Sequence, residues 1–219
     1  MYRQPTLWED FVESDTFSFE RKLLGQGCRL VAGVDEAGRG PLAGPVVAAC
    51  VILPPGCPFE RYKDSKLLSA PVREELCEEL DAIGALVGVG IGTVEEINRL
   101  NIFHASLLAM QKAISSLQEE PDYLLVDGKF TVPIGIPQLA LVKGDSRSAS
   151  VGAASIIAKV TRDRLMAQYH QQYPRYNFSQ NKGYATAEHR RILQECGPCE
   201  YHRQNFKGVR EDPVENPLG

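Results

Sequence analysis

Two adjacent carboxylates, Asp35 and Glu36, follow an apolar run at residues 31–34 and precede a loop rich in glycine and proline. The apolar run is typical of a buried strand. The next nine residues contain three glycines and two prolines, which favour a tight loop over a regular element. Because side chains alternate along a strand, we expect the strand to end at or just after Asp35, so that Glu36 can turn toward the same ion. Two acids beside a loop that carries Arg39 suit metal-assisted chemistry on a phosphate.

Two further acids, Asp127 and Asp145, also follow apolar strand-like runs and also stand next to glycine. Hydrolysis of a phosphodiester without a protein nucleophile uses two Mg²⁺ or Mn²⁺ ions, roughly 4 Å apart, to activate water and to stabilise the leaving oxygen. These ions prefer oxygen ligands. One aspartate after a strand is most often a turn residue, but three of them with an adjacent glutamate predict a metal site.

Other candidate ligands are less well placed. Asp163 comes 18 residues after Asp145, which in a helix corresponds to about 25 Å, and it is better read as an ion-pair residue. Asp64 and Asp122 have turn interpretations. The histidines are dispersed without ligand spacing, and we expect them to be structural or solvated: His104, His170, His189 and His202.

The elements that must bring the acids together follow an α/β pattern. We predict strands over 30–34, 45–53, 85–91, 123–126 and 138–142. Helices are expected over 69–83, 101–120, 148–169 and 187–195, with a short helix capped by Thr93 before the second of them. This order of strands and helices predicts a five-stranded mixed sheet flanked by helices.

The composition is that of an ordinary globular chain of 219 residues, with 43% hydrophobic and 24% charged residues. No apolar run approaches the roughly 18 residues of a membrane span. The N-terminus lacks an apolar signal core, and six scattered cysteines then indicate reduced thiols in the cytoplasm. The net charge is −4, yet residues 143–210 carry twelve Lys or Arg and only five Asp or Glu. This basic third is the expected footprint of phosphate binding.

From about residue 30 to residue 207 the chain resembles the type II ribonuclease H family, through Asp35-Glu36-Ala37-Gly38-Arg39-Gly40, Asp127-Gly128, Lys143-Gly144-Asp145 and Lys182-Gly183-Tyr184. The resemblance implies a ribonuclease H-like fold with a small C-terminal helical extension. It also implies Asp35, Glu36, Asp127 and Asp145 as the catalytic ligands of two Mg²⁺ or Mn²⁺ ions. We therefore expect a lead-in segment at 1–27, a catalytic domain at 28–180 and a C-terminal helical extension and tail at 181–219.

The resemblance also implies the substrate: RNA/DNA hybrids, and duplex DNA that contains ribonucleotides. Such an enzyme would cut on the 5′ side of a single ribonucleotide, leave 3′-hydroxyl and 5′-phosphate ends, and support ribonucleotide removal from DNA. Only the 2′-hydroxyl distinguishes ribose from deoxyribose, and Gly38-Arg39-Gly40 matches the family loop that reads it. Tyr184 matches a tyrosine that packs on the sugar at an RNA–DNA junction, and Lys66 matches a phosphate-binding lysine. Further candidates for contacts to the nucleic-acid backbone are Lys143, Arg147 and Lys182. Candidates for hydrogen bonds to phosphate are Ser146, Ser148 and Ser150, although helix capping explains Ser148 equally well.

Four alternatives remain open at this point. The type III ribonucleases H are related, but carry an extra N-terminal domain and lack this Gly-Arg-Gly form. A dinucleotide-binding enzyme needs a helix directly after its glycine loop, where this chain predicts a strand. Cys196 and Cys199 have the spacing of a thiol oxidoreductase, but follow a helix instead of starting one. A nucleic-acid-binding module without catalysis would gain nothing from four acids that repel phosphate.

Overall fold

The computed structural model describes residues 15–62 and 65–209. The first half of the predicted lead-in, the turn at Asp64 and the tail after residue 209 lie outside these ranges. The strands are β1 Val31–Ala37, β2 Val46–Ile52, β3 Leu86–Gly92, β4 Tyr123–Asp127 and β5 Gln138–Leu141. The helices are α1 Ser18–Gly25, α2 Ala70–Ala82, α3 Val94–Ser115, α4 Gly144–Arg147, α5 Ala149–Gln172, α6 Phe178–Asn181 and α7 Ala187–Cys196.

The five strands form one mixed sheet, as the sequence predicts, and their order is β3-β2-β1-β4-β5. Strands β3, β2 and β1 are antiparallel neighbours, whereas β4 and β5 run parallel to β1. The parallel arrangement places the carboxyl ends of β1 and β4 at the same edge of the sheet, which is where both strands carry acids.

Helices cover both faces of the sheet. Helix α3 packs on one face, over a core that includes Val34, Val126 and Met110. Helix α5 lies on the other face and crosses β1 so closely that a Cβ on Gly33 would stand 2.0 Å from the carbonyl carbon of Ser150. Any side chain at position 33 would therefore push the helix away from the sheet.

Helix α3 consists of the predicted pair of helices, which meet at a kink. Thr93 caps the first helix as expected, in a capping box with Glu96. The predicted boundary at Asn101 is confirmed: Asn101 has a non-helical φ of 67°, and its side chain accepts from the backbone N–H groups of Phe103 and His104. The helix ends at Ser115 and not at residue 120, so the predicted second helix was too long.

The C-terminal helices pack on the far half of α5. Leu42, Met166, Phe178 and Leu193 share one buried cluster there, and a short β-bridge joins Ala43 to His202. The chain after residue 181 is thereby fastened to the loop that follows β1. The domain boundaries given above remain predictions. Within the described ranges, no helix is both long enough and apolar enough to cross a membrane.

Candidate active site

Strand β1 continues through both predicted acids, so the expectation that it ends at Asp35 was wrong. Asp35 pairs with Ala49 and Glu36 with Ala48 in the β1–β2 ladder. Alternation along the strand then places Asp35 on the α5 face and Glu36 on the α3 face. Because these are nearly the last residues of the strand, both side chains still reach one cavity at the sheet edge.

That cavity has a volume of about 300 Å³ and collects most of the predicted site residues. Its lining includes Asp35, Glu36, Asp127, Gly38, Arg39, Gly40, Lys66 and Tyr184, together with Ser65, Ser155 and Lys159. These residues come from distant parts of the chain. The grouping that the sequence predicts from separate motifs is therefore present for all predicted residues except Asp145.

Asp145 lies just outside the cavity wall, in α4, and is 5% exposed. Its Oδ2 is 3.0 Å from Nζ of Lys66, which does line the cavity. Asp127 ends β4, and its Oδ1 accepts from the backbone N–H of Gly144 at 2.7 Å. This hydrogen bond ties the end of β4 to the start of α4 and brings Asp145 next to Asp127.

The acids at this edge carry more negative charge than their surroundings neutralise. Burial raises the pKa of Asp35 well above its usual value, and repulsion from Glu36 and Asp127 adds to the effect. Burial also raises the pKa of Glu36, although the Arg39 guanidinium, 3.1 Å away, opposes the shift. The pKa of Asp127 rises through burial, an effect that the Gly144 N–H opposes and that Asp145 reinforces. Buried acids in mutual repulsion create a demand for a cation.

The donor set fits hard divalent ions, because it consists of carboxylate oxygens. Within residues 15–62 and 65–209, however, the structure places no group of three or more His, Cys, Asp or Glu side chains where they could hold a metal ion. In this structure the acids contact other partners: Glu36 contacts Arg39, Asp145 contacts Lys66, and Oδ1 of Asp35 accepts from the Glu36 N–H at 2.7 Å.

Two buried arginines hold the glycine loop next to the acids, and sequence reasoning missed both. Arg203 donates to the carbonyl oxygens of Gly38, Arg39, Gly44 and Pro45. Arg162 donates to the carbonyl oxygens of Ala43, Pro45 and Lys182. Neither guanidinium has a carboxylate partner among these contacts, so part of the basic C-terminal charge acts inside the protein and not on phosphate. No local spacing signals this role, because all the partners except Lys182 lie more than 100 residues away.

Gly38 shows why the loop needs glycine. Its φ is +96°, and a Cβ at this position would stand 2.1 Å from Nε of Arg162. An alanine here would combine backbone strain with a clash against a guanidinium that is already bonded. The Gly-Arg-Gly loop is therefore shaped by the arginine behind it.

Tyr184 stands beside the same loop. It is 47% exposed, and a Cβ on Gly40 would lie 3.9 Å from its Cε1 atom. The backbone N–H of Leu42 donates to the carbonyl oxygen of Gly183 at 2.8 Å. An exposed aromatic ring is thus held over the glycine loop and faces the cavity that contains the acids.

Several secondary predictions turn out differently. Ser148 and Ser150 are fully buried and donate to Oε1 of Glu20, and Ser148 also caps α5, so neither can contact a phosphate. Ser146 donates to the carbonyl oxygen of Lys143. Asp163 is an ion-pair residue as predicted, with Lys159 as its partner.

The alternative chemistries find little support in the structure. The glycine loop runs into strand β2 and not into a helix, unlike a dinucleotide-binding loop. Helix α7 ends at Cys196, and both Cys196 and Cys199 are unpaired thiols. The redox interpretation requires a helix that starts at the first cysteine, and this chain has the reverse arrangement.

Comparison with known proteins shows the family of the chain. The model of the family described as Ribonuclease HII matches residues 32–209. Ribonuclease HII of Geobacter metallireducens is 50% identical over 205 residues, which cover 94% of this chain and 96% of that protein. The chain belongs to the ribonuclease HII family. It is accordingly a ribonuclease H, a hydrolase that acts on RNA/DNA hybrids.

Solved structures agree with the fold. Ribonuclease H2 from Pyrococcus horikoshii matches with a TM-score of 0.70 and 29% identity, over 83% of this chain and 95% of that one. A ribonuclease HIII, named Bst-RNase HIII and solved in complex with Mn²⁺, matches with a TM-score of 0.65 and 20% identity, over 82% of this chain and 68% of that one. The ribonuclease H-like fold is confirmed, and the family match decides for type II over type III.

Proposed function

We propose that this ribonuclease H uses two Mg²⁺ or Mn²⁺ ions, held by Asp35, Glu36, Asp127 and Asp145, and that it incises duplex DNA 5′ to single embedded ribonucleotides as well as cutting hybrids. The observation that carries the proposal is that three of the four acids, the Gly-Arg-Gly loop and Tyr184 line one cavity. When bound, the ions would activate a water molecule and stabilise the leaving 3′ oxygen. The Mn²⁺ complex of the ribonuclease HIII of the same fold supports the choice of metal.

The two ion pairs at the site suggest how the acids become available. Arg39 holds Glu36, and its side chain is 51% exposed. Lys66 holds Asp145, and its side chain is 77% exposed. Both cations can exchange a carboxylate for a substrate phosphate by side-chain rotation, because their charged ends already lie at the surface. The exchange would free both acids for metal binding when the substrate arrives.

The loop backbone would read the ribose. Arg203 already occupies the carbonyl oxygens of Gly38 and Arg39, so we assign the recognition of the 2′-hydroxyl to the N–H groups of the loop. Glycine at positions 38 and 40 lets the sugar approach the backbone closely. Tyr184, beside Gly40, would pack on the adjacent deoxyribose and so select an RNA–DNA junction.

The proposal extends to the reaction products, the cellular compartment and one further phosphate-contact residue. Attack of water on the 5′ side of the ribonucleotide would leave 3′-hydroxyl and 5′-phosphate ends, which suit the removal of ribonucleotides from DNA. The six unpaired cysteines support the prediction of a reducing compartment, the cytoplasm. Lys159, on the cavity wall, is a further candidate for phosphate contact.

The test is cleavage of a DNA duplex with one embedded ribonucleotide beside an all-DNA duplex of the same sequence, with and without Mg²⁺. We expect a single cut 5′ to the ribonucleotide, only with metal, whose 3′ end a DNA polymerase extends. Cleavage of hybrid but not of the single-ribonucleotide duplex would contradict the junction proposal. Full activity in the presence of a chelator would contradict the metal proposal.

A further inference from the structure

Two histidines that the sequence scatters, His189 and His202, form a buried hydrogen-bonded pair. Their Nε2 atoms are 3.0 Å apart, and the two residues are 0% and 1% exposed. His189 lies on α7, and His202 lies in the segment that bridges to Ala43. Two neutral imidazoles can bond through the same kind of atom only if one Nε2 carries a hydrogen and the other does not.

The surrounding contacts decide which ring donates. Nδ1 of His189 is 2.8 Å from the carbonyl oxygen of Tyr184, which can only accept, so this Nδ1 carries the hydrogen. Nδ1 of His202 is 3.0 Å from the backbone nitrogen of Cys199, whose N–H can only donate, so this Nδ1 is bare and can also accept from the Cys199 thiol at 3.2 Å. His202 therefore donates from Nε2 to the bare Nε2 of His189. A directed relay results, from the Cys199 N–H through both rings to the Tyr184 carbonyl oxygen.

Both rings are expected to be neutral, as the relay requires. Burial lowers the pKa of His189, partly opposed by the Tyr184 carbonyl oxygen and by Glu188. Burial and the neighbouring His189 lower the pKa of His202 to about 4. The rings of Tyr176 and Phe178 pack against the pair and exclude water from it.

The relay ends on the residue that stands over the glycine loop. The Tyr184 carbonyl oxygen accepts from the His189 ring and from the backbone N–H of Thr186 at 2.8 Å. At the other end of the pair, His202 bridges to Ala43 and precedes Arg203, which holds Gly38 and Arg39. The same short segment thus fastens both elements that face the ribose, the tyrosine and the loop.

We propose that His189 and His202 are positioning residues, which act through a one-way hydrogen-bond relay to set Tyr184 against the Gly-Arg-Gly loop and thereby tune selection of the RNA–DNA junction. This inference rests on the proposed function, because it gives Tyr184 the role of junction reader. Neither histidine itself lines the cavity, so neither is a catalytic residue.

Two variants of the same residue separate the halves of the relay. In His189→Asn, the amide nitrogen takes the place of Nδ1 and can still donate to the Tyr184 carbonyl oxygen, while the contact to His202 is lost. In His189→Gln, the amide reaches the Nε2 position and keeps the contact to His202, while the contact to Tyr184 is lost. Both introduce one carboxamide at one buried site, so each is the matched control of the other.

The readout is the ratio of kcat/KM on a single-ribonucleotide duplex to kcat/KM on an RNA/DNA hybrid. We expect His189→Asn to stay within about twofold of the wild-type ratio, and His189→Gln to lower it about fivefold or more, as for the loss of one hydrogen bond. Tyr184→Ala calibrates the assay and should lower the ratio at least as much. A merely structural role would change both substrates together and leave the ratio unchanged.

The failures are distinguishable. If Tyr184→Ala leaves the ratio unchanged, the junction role of Tyr184 in the proposed function is wrong and the relay has nothing to position. If Tyr184→Ala lowers the ratio but the Asn and Gln variants do not differ, the proposed function stands and the relay is wrong. Imidazole ¹⁵N spectra of the wild-type protein at pH 7.5 add a test that does not depend on the folding of variants. Hydrogens on Nδ1 of His189 and Nε2 of His202 support the relay, and any other tautomer pair or a charged ring overturns it.

Discussion

Nη2 of Arg203 donates to the carbonyl oxygen of Gly38 at 2.5 Å, across 165 residues of sequence. The same guanidinium reaches three further carbonyl oxygens of the loop after β1, and it is fully buried. Burial lowers its pKa to about 9, with repulsion from Arg162 as a second cause. A buried guanidinium that donates to four carbonyl oxygens is poorly replaced by a group without the same planar set of donors.

Arg203→Lys should therefore destabilise the protein and weaken substrate binding together. A lysine cannot reach all four carbonyl oxygens, and we expect a loss of about 2–3 kcal/mol in the free energy of unfolding, with a higher KM on hybrid. Urea denaturation and steady-state kinetics measure the two effects. Arg190→Lys, at an exposed position on α7, is the matched control. Equal behaviour of the two variants would contradict the role of Arg203 in holding the loop.

Removal of charge from the acid cluster should inactivate the enzyme and stabilise its metal-free form. Asp35→Asn or Asp127→Asn removes a carboxyl group whose pKa is raised by burial and by repulsion from neighbouring acids. In EDTA, relief of about 1 kcal/mol would raise Tm by roughly 2–4 °C for a chain of this size. Turnover should fall about 1,000-fold or more, because several kcal/mol of metal-assisted stabilisation is lost.

Added metal provides the matching control for these variants. Mg²⁺ or Mn²⁺ should raise Tm of the wild-type protein by mass action and have little effect on either variant. Retained activity of either variant with metal present would refute its assignment as a ligand.

Lys66 should contribute one phosphate contact. Its replacement by alanine removes one cation, and the slope of log KM against log salt concentration should fall by about 1. Arg164→Ala on α5, whose partner Glu74 lies on α2, should leave the slope unchanged. An unchanged slope for Lys66→Ala would contradict the proposed phosphate contact of this lysine.

The buried His202 ring predicts a stability loss on acidification. Its folded pKa is about 4 against an ordinary value of 6.5, so the neutral ring favours the folded state above pH 6.5. As the pH falls from 6.5 toward 4, the unfolded chain takes up a proton that the folded one refuses, and roughly 3 kcal/mol of stability is lost. The titratable groups around the pair are the Cys199 thiol, Glu188 and the Tyr176 phenol.

The comparison of wild-type protein with His202→Asn isolates this contribution from that of the carboxylates. The difference in free energy of unfolding between the two should be largest above pH 6.5 and shrink toward pH 4. A difference that is independent of pH would show that His202 titrates normally.

The secondary-structure elements and the reactive groups follow from the amino-acid sequence alone, because both depend on local pattern. Apolar runs that end in Asp35, Asp127 and Asp145 gave the strands and the acids, and the loop around Arg39 matched its family motif. The family comparison confirmed the type and fold that these motifs imply. The predicted end of β1 at Asp35 was wrong. Neighbouring side chains on a strand do point to opposite faces, but only one residue of the strand follows Glu36, so both acids can still reach the edge of the sheet.

Which distant groups meet depends on how the folded chain packs. Arg162 and Arg203 read as part of a basic surface, and His189 and His202 as unrelated residues, because hydrogen bonds to backbone carbonyl oxygens and between rings leave no periodic signal in sequence. Their partners are fixed by the packing of the C-terminal segment on the loop after β1, where burial makes each unsatisfied polar group costly. The reactive groups are thus set by residue type, and their geometry by long-range packing.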